Sequence, residues 1–185
     1  MTSPAVAQLS VRTGPVRPRP VEPVGRGRTG DPLLGLGPYW TRIDRVPFGS
    51  TVDVEHVLLS TTGVFVVATE STVAECSLAH AISELRWRSR KIAFLLDRAG
   101  RPPLTPVLIV GGPGAPAIPG GYEMVDGVLV CRRADADRWL AHFDARPSTL
   151  DSRQINEAVS LLVDHTLRTA KINAIPVRRH VTPKA

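Results

Sequence analysis

Residues 52 to 70, Val-Asp-Val-Glu-His-Val-Leu-Leu-Ser-Thr-Thr-Gly-Val-Phe-Val-Val-Ala-Thr-Glu, constrain the fold of this chain more than any other stretch. Two β-rich runs, Val52 to Leu59 and Val64 to Thr69, flank Ser60-Thr61-Thr62-Gly63. A short glycine-containing link between two such runs closes an antiparallel hairpin, here at the centre of a sheet. Side chains alternate along a strand, so Asp53 and Glu55 are expected on one face and Val54, His56 and Leu58 on the other. His56 then reads as a packed structural histidine. Ala68 and Glu70 fall together near the end of the second strand, which brings acidic groups of neighbouring strands within reach of one another.

The rest of the chain arranges itself around this pair. Residues 39 to 50, with Trp40 as a core or rim side chain, predict an edge strand running through Pro47 and Gly49 into the hairpin. Ser71-Thr72 can cap a helix, with Glu75 in its first turn. Leu78, Ile82, Leu85, Ile92 and Leu96, with Ser89 filling the gap, keep helical spacing over about 74 to 97. Arg98 to Pro103 ends that helix, and Leu104 to Val110 reads as a buried strand. Gly111 to Gly121 shares only its glycines with a phosphate loop; no Gly-Lys-(Ser/Thr) follows, so it predicts a surface loop. Tyr122 to Met124 and Gly127 to Cys131 form a strand pair about Asp126-Gly127. A short helix over 133 to 143 buries Trp139, Leu140 and Phe143. Ser148 and Asp151 offer a cap for a last helix, whose stripe is Ile155, Val159, Leu162, Val163 and Leu167. The class is α/β: a central mixed sheet with an antiparallel core hairpin, flanked by helices.

The 185 residues suffice for one domain with a sizeable core, expected over 33 to 171. Six prolines interleaved with five arginines predict a disordered tail over 1 to 32, and a second basic tail is expected over 172 to 185. Of the net charge of +6, the first thirty residues hold +4 and residues 168 to 185 hold +5, which leaves −3 between them. Total charge therefore does not make the folded part a nucleic-acid binder. Cys76 and Cys131 are too few for a disulfide framework and lack zinc spacing. With no membrane-length apolar run and no leader pattern at the N-terminus, a cytoplasmic location is expected.

Glu55-His56 followed by Gly63-Val64-Phe65-Val66-Val67 resembles the core of the nuclease-related (NERD) domain, whose usual form reads Asp-Ile-Asp-His, two or three apolar residues, Gly-Pro-x-Gly-Val-Phe-Val-Ile-(Glu/Asp)-x-Lys. The resemblance runs over roughly 40 to 168 by element order and is specific at the hairpin. It implies a restriction-endonuclease-like fold related to the PD-(D/E)xK nucleases, in which two carboxylates hold a divalent metal and a lysine helps place the attacking water. This chain departs from the pattern where that chemistry resides. Ala68 stands at the acidic position and Glu70 at the lysine, and the family's N-terminal helix with its glutamate has no counterpart.

What the resemblance implies is thus a module without nuclease activity that binds nucleic acid or a protein partner. Glu55 and Glu70 are its candidate catalytic remnants. The alternative is a divergent magnesium-dependent nuclease, with Asp53, Glu55 and Glu70 as oxygen ligands for Mg2+; otherwise no cofactor is expected. Apart from the tails, the candidate nucleic-acid contacts are Arg86, Arg88, Arg90 and Lys91, crowded with Trp87 on the solvent side of the long helix.

Overall fold

The strand Gly63–Glu70 has no solvent-facing side: every residue from Gly63 to Ala68 is buried. A continuous apolar run of this kind fits only a sheet covered on both faces. The computed structural model describes residue 33 and residues 36–48, 52–71, 75–112 and 115–173. In chain order these form β1 (Thr41–Phe48), β2 (Val52–Ser60), β3 (Gly63–Glu70), α1 (Glu75–Leu95), β4 (Leu104–Val110), β5 (Tyr122–Val125), β6 (Val128–Arg132), α2 (Ala136–Asp144) and α3 (Ser152–Asn173). Short 3-10 turns cover Leu96–Ala99 and Arg133–Asp135. The six strands make one mixed sheet in the order β1-β2-β3-β4-β6-β5. Antiparallel pairing joins β1 to β2, β2 to β3 and β5 to β6, whereas β3, β4 and β6 run parallel.

Parallel neighbours need a crossover connection, and α1 supplies it between β3 and β4. On that face Val64, Val66 and Ala68 pack with Ile82, Leu85 and Ile92 of α1, with Leu96 of the 3-10 turn after it, and with Ala158 and Leu162 of α3. The opposite face takes Phe65 and Val67 against Trp139, Leu140 and Phe143 of α2, with Leu33 and Trp40. Phe65 lies 4.7 Å from Phe143 and 5.1 Å from Trp40 between ring centroids, and Trp40 donates its indole N–H to Asp144 at 2.7 Å. Burial of each such side chain contributes about 1.5–3 kcal/mol. On the outer strand, His165 of α3 reaches the carbonyl of Pro47 at 2.8 Å and packs on Phe48, which fastens β1 to the helical layer.

The expected α/β class and the element order hold, and three local expectations change. Asp151, not Ser148, caps α3: its carboxylate accepts from the Gln154 N–H at 2.8 Å while Gln154 accepts from the Asp151 N–H at 3.0 Å. A glutamine three residues on completes this reciprocal pair, and the stretch before it is held elsewhere, Thr149 and Leu150 both donating to the Thr61 carbonyl in the hairpin turn. The buried line of α3 runs through Ala158 and Leu162, and Leu167 is exposed. The expected helix 133 to 143 begins as a 3-10 turn, where buried Asp135 accepts from Arg132 at 2.8 Å. Residues 1 to 32, those beyond 173, and Thr72 of the expected α1 cap lie outside the described residues.

Gly63 is where the turn geometry is least forgiving. Its φ is +145°, and a Cβ there would sit 2.9 Å from the Pro103 carbonyl oxygen, the same oxygen that accepts from Val64 N–H at 2.9 Å. Gly63→Ala should therefore cost about 1–3 kcal/mol, read as a fall in thermal midpoint with unchanged circular dichroism at low temperature; an unchanged midpoint would mean that this close approach carries no strain.

Candidate functional site

Strict alternation fails in the middle of β2. Val54 and Val57 are three apart, yet both are buried in the layer beneath α1 and α3. Ile43 and Val46 in β1 repeat the three-residue step. The ladder between these strands pairs Asp44 with His56 and resumes at Val46 with Val54, so Arg45 and Glu55 stand opposite one another outside it. Arg45 has φ +53°, a left-handed conformation that costs about 1 kcal/mol or more for a residue other than glycine. A paired irregularity of this sort turns side chains that would otherwise point apart toward one side. Pairing of β2 with β3 also stops at His56 and Val67.

The Glu55 side chain closes that opening. Its carboxylate accepts from the Thr69 backbone N–H at 2.7 Å and from the Thr69 hydroxyl at 2.5 Å. His56 Nε2 lies 3.3 Å from the same carboxylate, and His56 Nδ1 lies 2.6 Å from Asp44. Arg42 donates to Asp44 at 2.7 Å. The 3.4 Å approach of Arg42 to His56 Nδ1 is a meeting of two donors that share Asp44, because the shorter contact fixes the proton on Nδ1. The chain Arg42, Asp44, His56, Glu55, Thr69 thus alternates cation, anion, imidazole, anion and hydroxyl across three strands.

These contacts move the titrations. Burial opposes ionisation of Glu55, but His56 and the two Thr69 donors outweigh it and hold the carboxyl at about 2. Burial likewise works against charge on His56, and the Glu55 and Asp44 carboxylates raise its pKa above the ordinary 6.5. Asp44 is depressed: partial burial is overcome by Arg42 and His56. His56 is accordingly a network residue between two acids that raise its pKa, and the expected grouping of Val54, His56 and Leu58 on one face is corrected. Val54 lies under α1 and α3, whereas Leu58 packs on the side of α2.

The residues named from the sequence as a catalytic and metal set are not gathered. Thr69 alternates with Ala68 and Glu70 along β3, so the Glu55 carboxylate sits on the opposite face of the sheet from both. Ala68 is buried in the helical layer, and Glu70 is exposed at the strand end, where its backbone carbonyl accepts from Gly111 at 2.8 Å. Asp53 is exposed opposite Pro47. Among the described residues no three His, Cys, Asp or Glu side chains are placed to hold a metal ion, and Asp53, Glu55 and Glu70 do not form such a group. The buried Cys131 thiol is pushed up to about 12 by burial, with Asp135 adding to it, and is no nucleophile at neutral pH.

The named basic residues do share α1, with different surroundings. Arg88 is tied to Glu84 one turn before it, whereas Lys91 holds its ammonium 5.0 Å from the Trp87 ring centroid. Arg86 and Arg90 are exposed and make no ion pair among the described residues. Trp87 and Phe94 are 43% and 85% exposed, one turn to either side of Arg90 and Lys91. Arg98 extends the same row beyond the helix. Phe94 and Arg98 were missed from sequence, although their i+7 and i+11 spacing from Trp87 was the available signal.

Arg42, Asp44 and Thr69 were missed as well, since only the register of β1 on β2 brings them to His56. Their network predicts a two-sided stability profile. The Glu55 contribution is present above about pH 4.5 and is lost as pH falls toward about 2; the His56 contribution is full below pH 6.5 and is lost as pH rises through its raised value. His56→Gln should flatten the alkaline limb and cost about 1–2 kcal/mol near pH 5.5, discounted for half-exposed partners, as measured by thermal unfolding from pH 4 to 9. Parallel profiles for the two proteins above pH 6.5 would remove His56 from the linkage.

Comparison of this chain with models of protein families, with curated proteins and with solved structures found no match, so the chemistry of the site rests on these side chains.

Proposed function

We propose that this chain is a nuclease-related, restriction-endonuclease-like module without phosphodiester hydrolysis that binds nucleic acid along the outer face of α1. The observation that carries the binding half is the row Trp87, Arg90, Lys91, Phe94 and Arg98, in which exposed aromatic rings alternate with cations. Rings stack bases whatever their sequence, and unpaired cations take backbone phosphates. A protein-docking face would more commonly bury its aromatics among apolar neighbours and carry fewer charges at its centre. The non-catalytic half is supported by Glu55, whose lone pairs are committed to Thr69 and His56 on the face away from Glu70. The resemblance of Glu55-His56 and Gly63 to Val67 to the nuclease-related hairpin is what supports that part of the reading.

Binding of a fluorescein-labelled single-stranded 20-mer, followed by anisotropy from 50 to 300 mM salt, tests this. Trp87→Ala should weaken binding about five- to tenfold, the worth of one stacked base, and Arg90→Ala with Lys91→Ala should lower the salt slope by about 0.7 per lost phosphate contact. With Mg2+ or Mn2+ added, wild type and Glu55→Ala should leave plasmid DNA equally intact. Cutting that disappears in Glu55→Ala would restore the nuclease reading, with Asp53 or Glu70 as the companion ligand; binding indifferent to both substitutions would move the contact off α1.

A further inference from the structure

Among the described residues Ser89 is the one buried polar residue of α1, 4% exposed, and its hydroxyl has no hydrogen-bond partner there. Elsewhere in this protein helical hydroxyls bond back one turn: Ser160 to Asn156, Thr166 to Leu162 and Thr169 to His165, all at 2.8–2.9 Å. That is the ordinary fate of serine and threonine inside a helix, and Ser89 does not share it. A buried hydroxyl left unpaired costs about 1–3 kcal/mol.

Ser89 lines a cleft of about 330 Å³ between α1 and the β5–β6 turn. Arg86 and Arg90, four apart and so on one side of the helix, stand on one rim, and Asp126 with Gly127 forms the other. Ala93, Leu104 and Pro106 supply an apolar wall. Neither arginine nor Asp126 makes an ion pair among the described residues, so two donors and one acceptor face the same space unspent. Asp126 holds φ +49° in the turn and Gly127 φ +78°, the two positive values of the tight turn that joins antiparallel strands. This fixes the carboxylate at the lip of the cleft.

A ligand that matches needs an anionic group for the guanidiniums, a hydroxyl donor for the carboxylate and a small apolar body between them. We infer that the cleft seats one ribose phosphate unit of an RNA strand: the phosphate between Arg86 and Arg90, and the 2′-hydroxyl donating to Asp126. This rests on the nucleic-acid reading of α1 and sharpens it, because the neighbouring Trp87 lies on the same helix as the seat. Deoxyribose lacks the donor, and the lone carboxylate would then face a strand it repels. The 2′-hydroxyl is the group by which a protein distinguishes RNA from DNA at one position.

The test measures the full chain against fluorescein-labelled 12-mers of uridine and of deoxyuridine at one salt concentration. Wild type should prefer RNA about tenfold, the worth of a hydrogen bond to a charged acceptor. Asp126→Gly, which suits the left-handed turn and carries no side-chain acceptor, should bring the two affinities within about twofold of each other. Ser89→Ala should leave the thermal midpoint unchanged or raised, since it removes an unpaired buried group, and should leave RNA binding within about twofold of wild type. Equal RNA and DNA affinity in wild type, or an RNA preference that survives Asp126→Gly, overturns the seat while leaving the α1 reading intact. Binding of neither 12-mer overturns both.

Discussion

Covering β3 on both faces is the constraint from which the remaining architecture follows. Its side chains from Val64 to Val67 are alternately committed to two apolar layers, and neither layer could be supplied by neighbouring strands. One is met by α1, which must exist because β3 and β4 run parallel, and by α3. The other is met by α2, whose Trp139 and Phe143 meet Phe65. Thr149 and Leu150, bonded to the Thr61 carbonyl, then bring the chain back from α2 to the hairpin turn before α3 begins. The central hairpin thereby positions both helical layers, and strain at its turn is transmitted to each.

The same hairpin decides the fate of its acidic residues. Had alternation held through β2, Glu55 would have shared a face with Asp53 and approached the end of β3 from that side. The opposed pair Arg45 and Glu55 leaves the ladder instead, and the Glu55 carboxylate takes over the Thr69 N–H at the point where β2 and β3 part. A carboxylate with two donors from one threonine and the His56 ring beside it is a stabilised anion with little remaining capacity to ligate or to accept a proton. The exposure of Glu70 and the inward packing of Ala68 are then of a piece with this geometry: the three positions lie on two faces and serve different layers.

Much of the fold was legible in the sequence because its elements announce themselves locally. The link at Gly63, the run Leu104 to Val110 and the Asp126-Gly127 turn each carry their own signal, and the strands appear within two residues of the expected limits. The network around His56 was not legible. Period-two reasoning assigns faces on the assumption of an unbroken ladder, and nothing in Val52 to Ser60 marks a break; the strained residue is Arg45, on the partner strand. Likewise Asp44 and Arg42 reach His56 only through the β1 register. The cap of α3 was misplaced for a different reason, since Ser148 and Asp151 satisfy the loose pattern while Asp151 and Gln154 satisfy the stricter reciprocal one.

The chain also separates its two kinds of charge by purpose. Around His56 the side chains of Arg42, Asp44 and Glu55 are tied to one another through hydrogen bonds to the ring and to Thr69, so that network gains rigidity and offers little field to an approaching ligand. Along the outer face of α1 the opposite holds: Arg86 and Arg90 are left without acidic partners among the described residues, and Lys91 rests on an exposed ring. Unpaired cations on a rigid helix repel one another and contribute nothing to folding. A row of them kept beside exposed Trp87 and Phe94 therefore costs the free protein stability, a cost that the proposed binding of a polyanion with planar groups would recover.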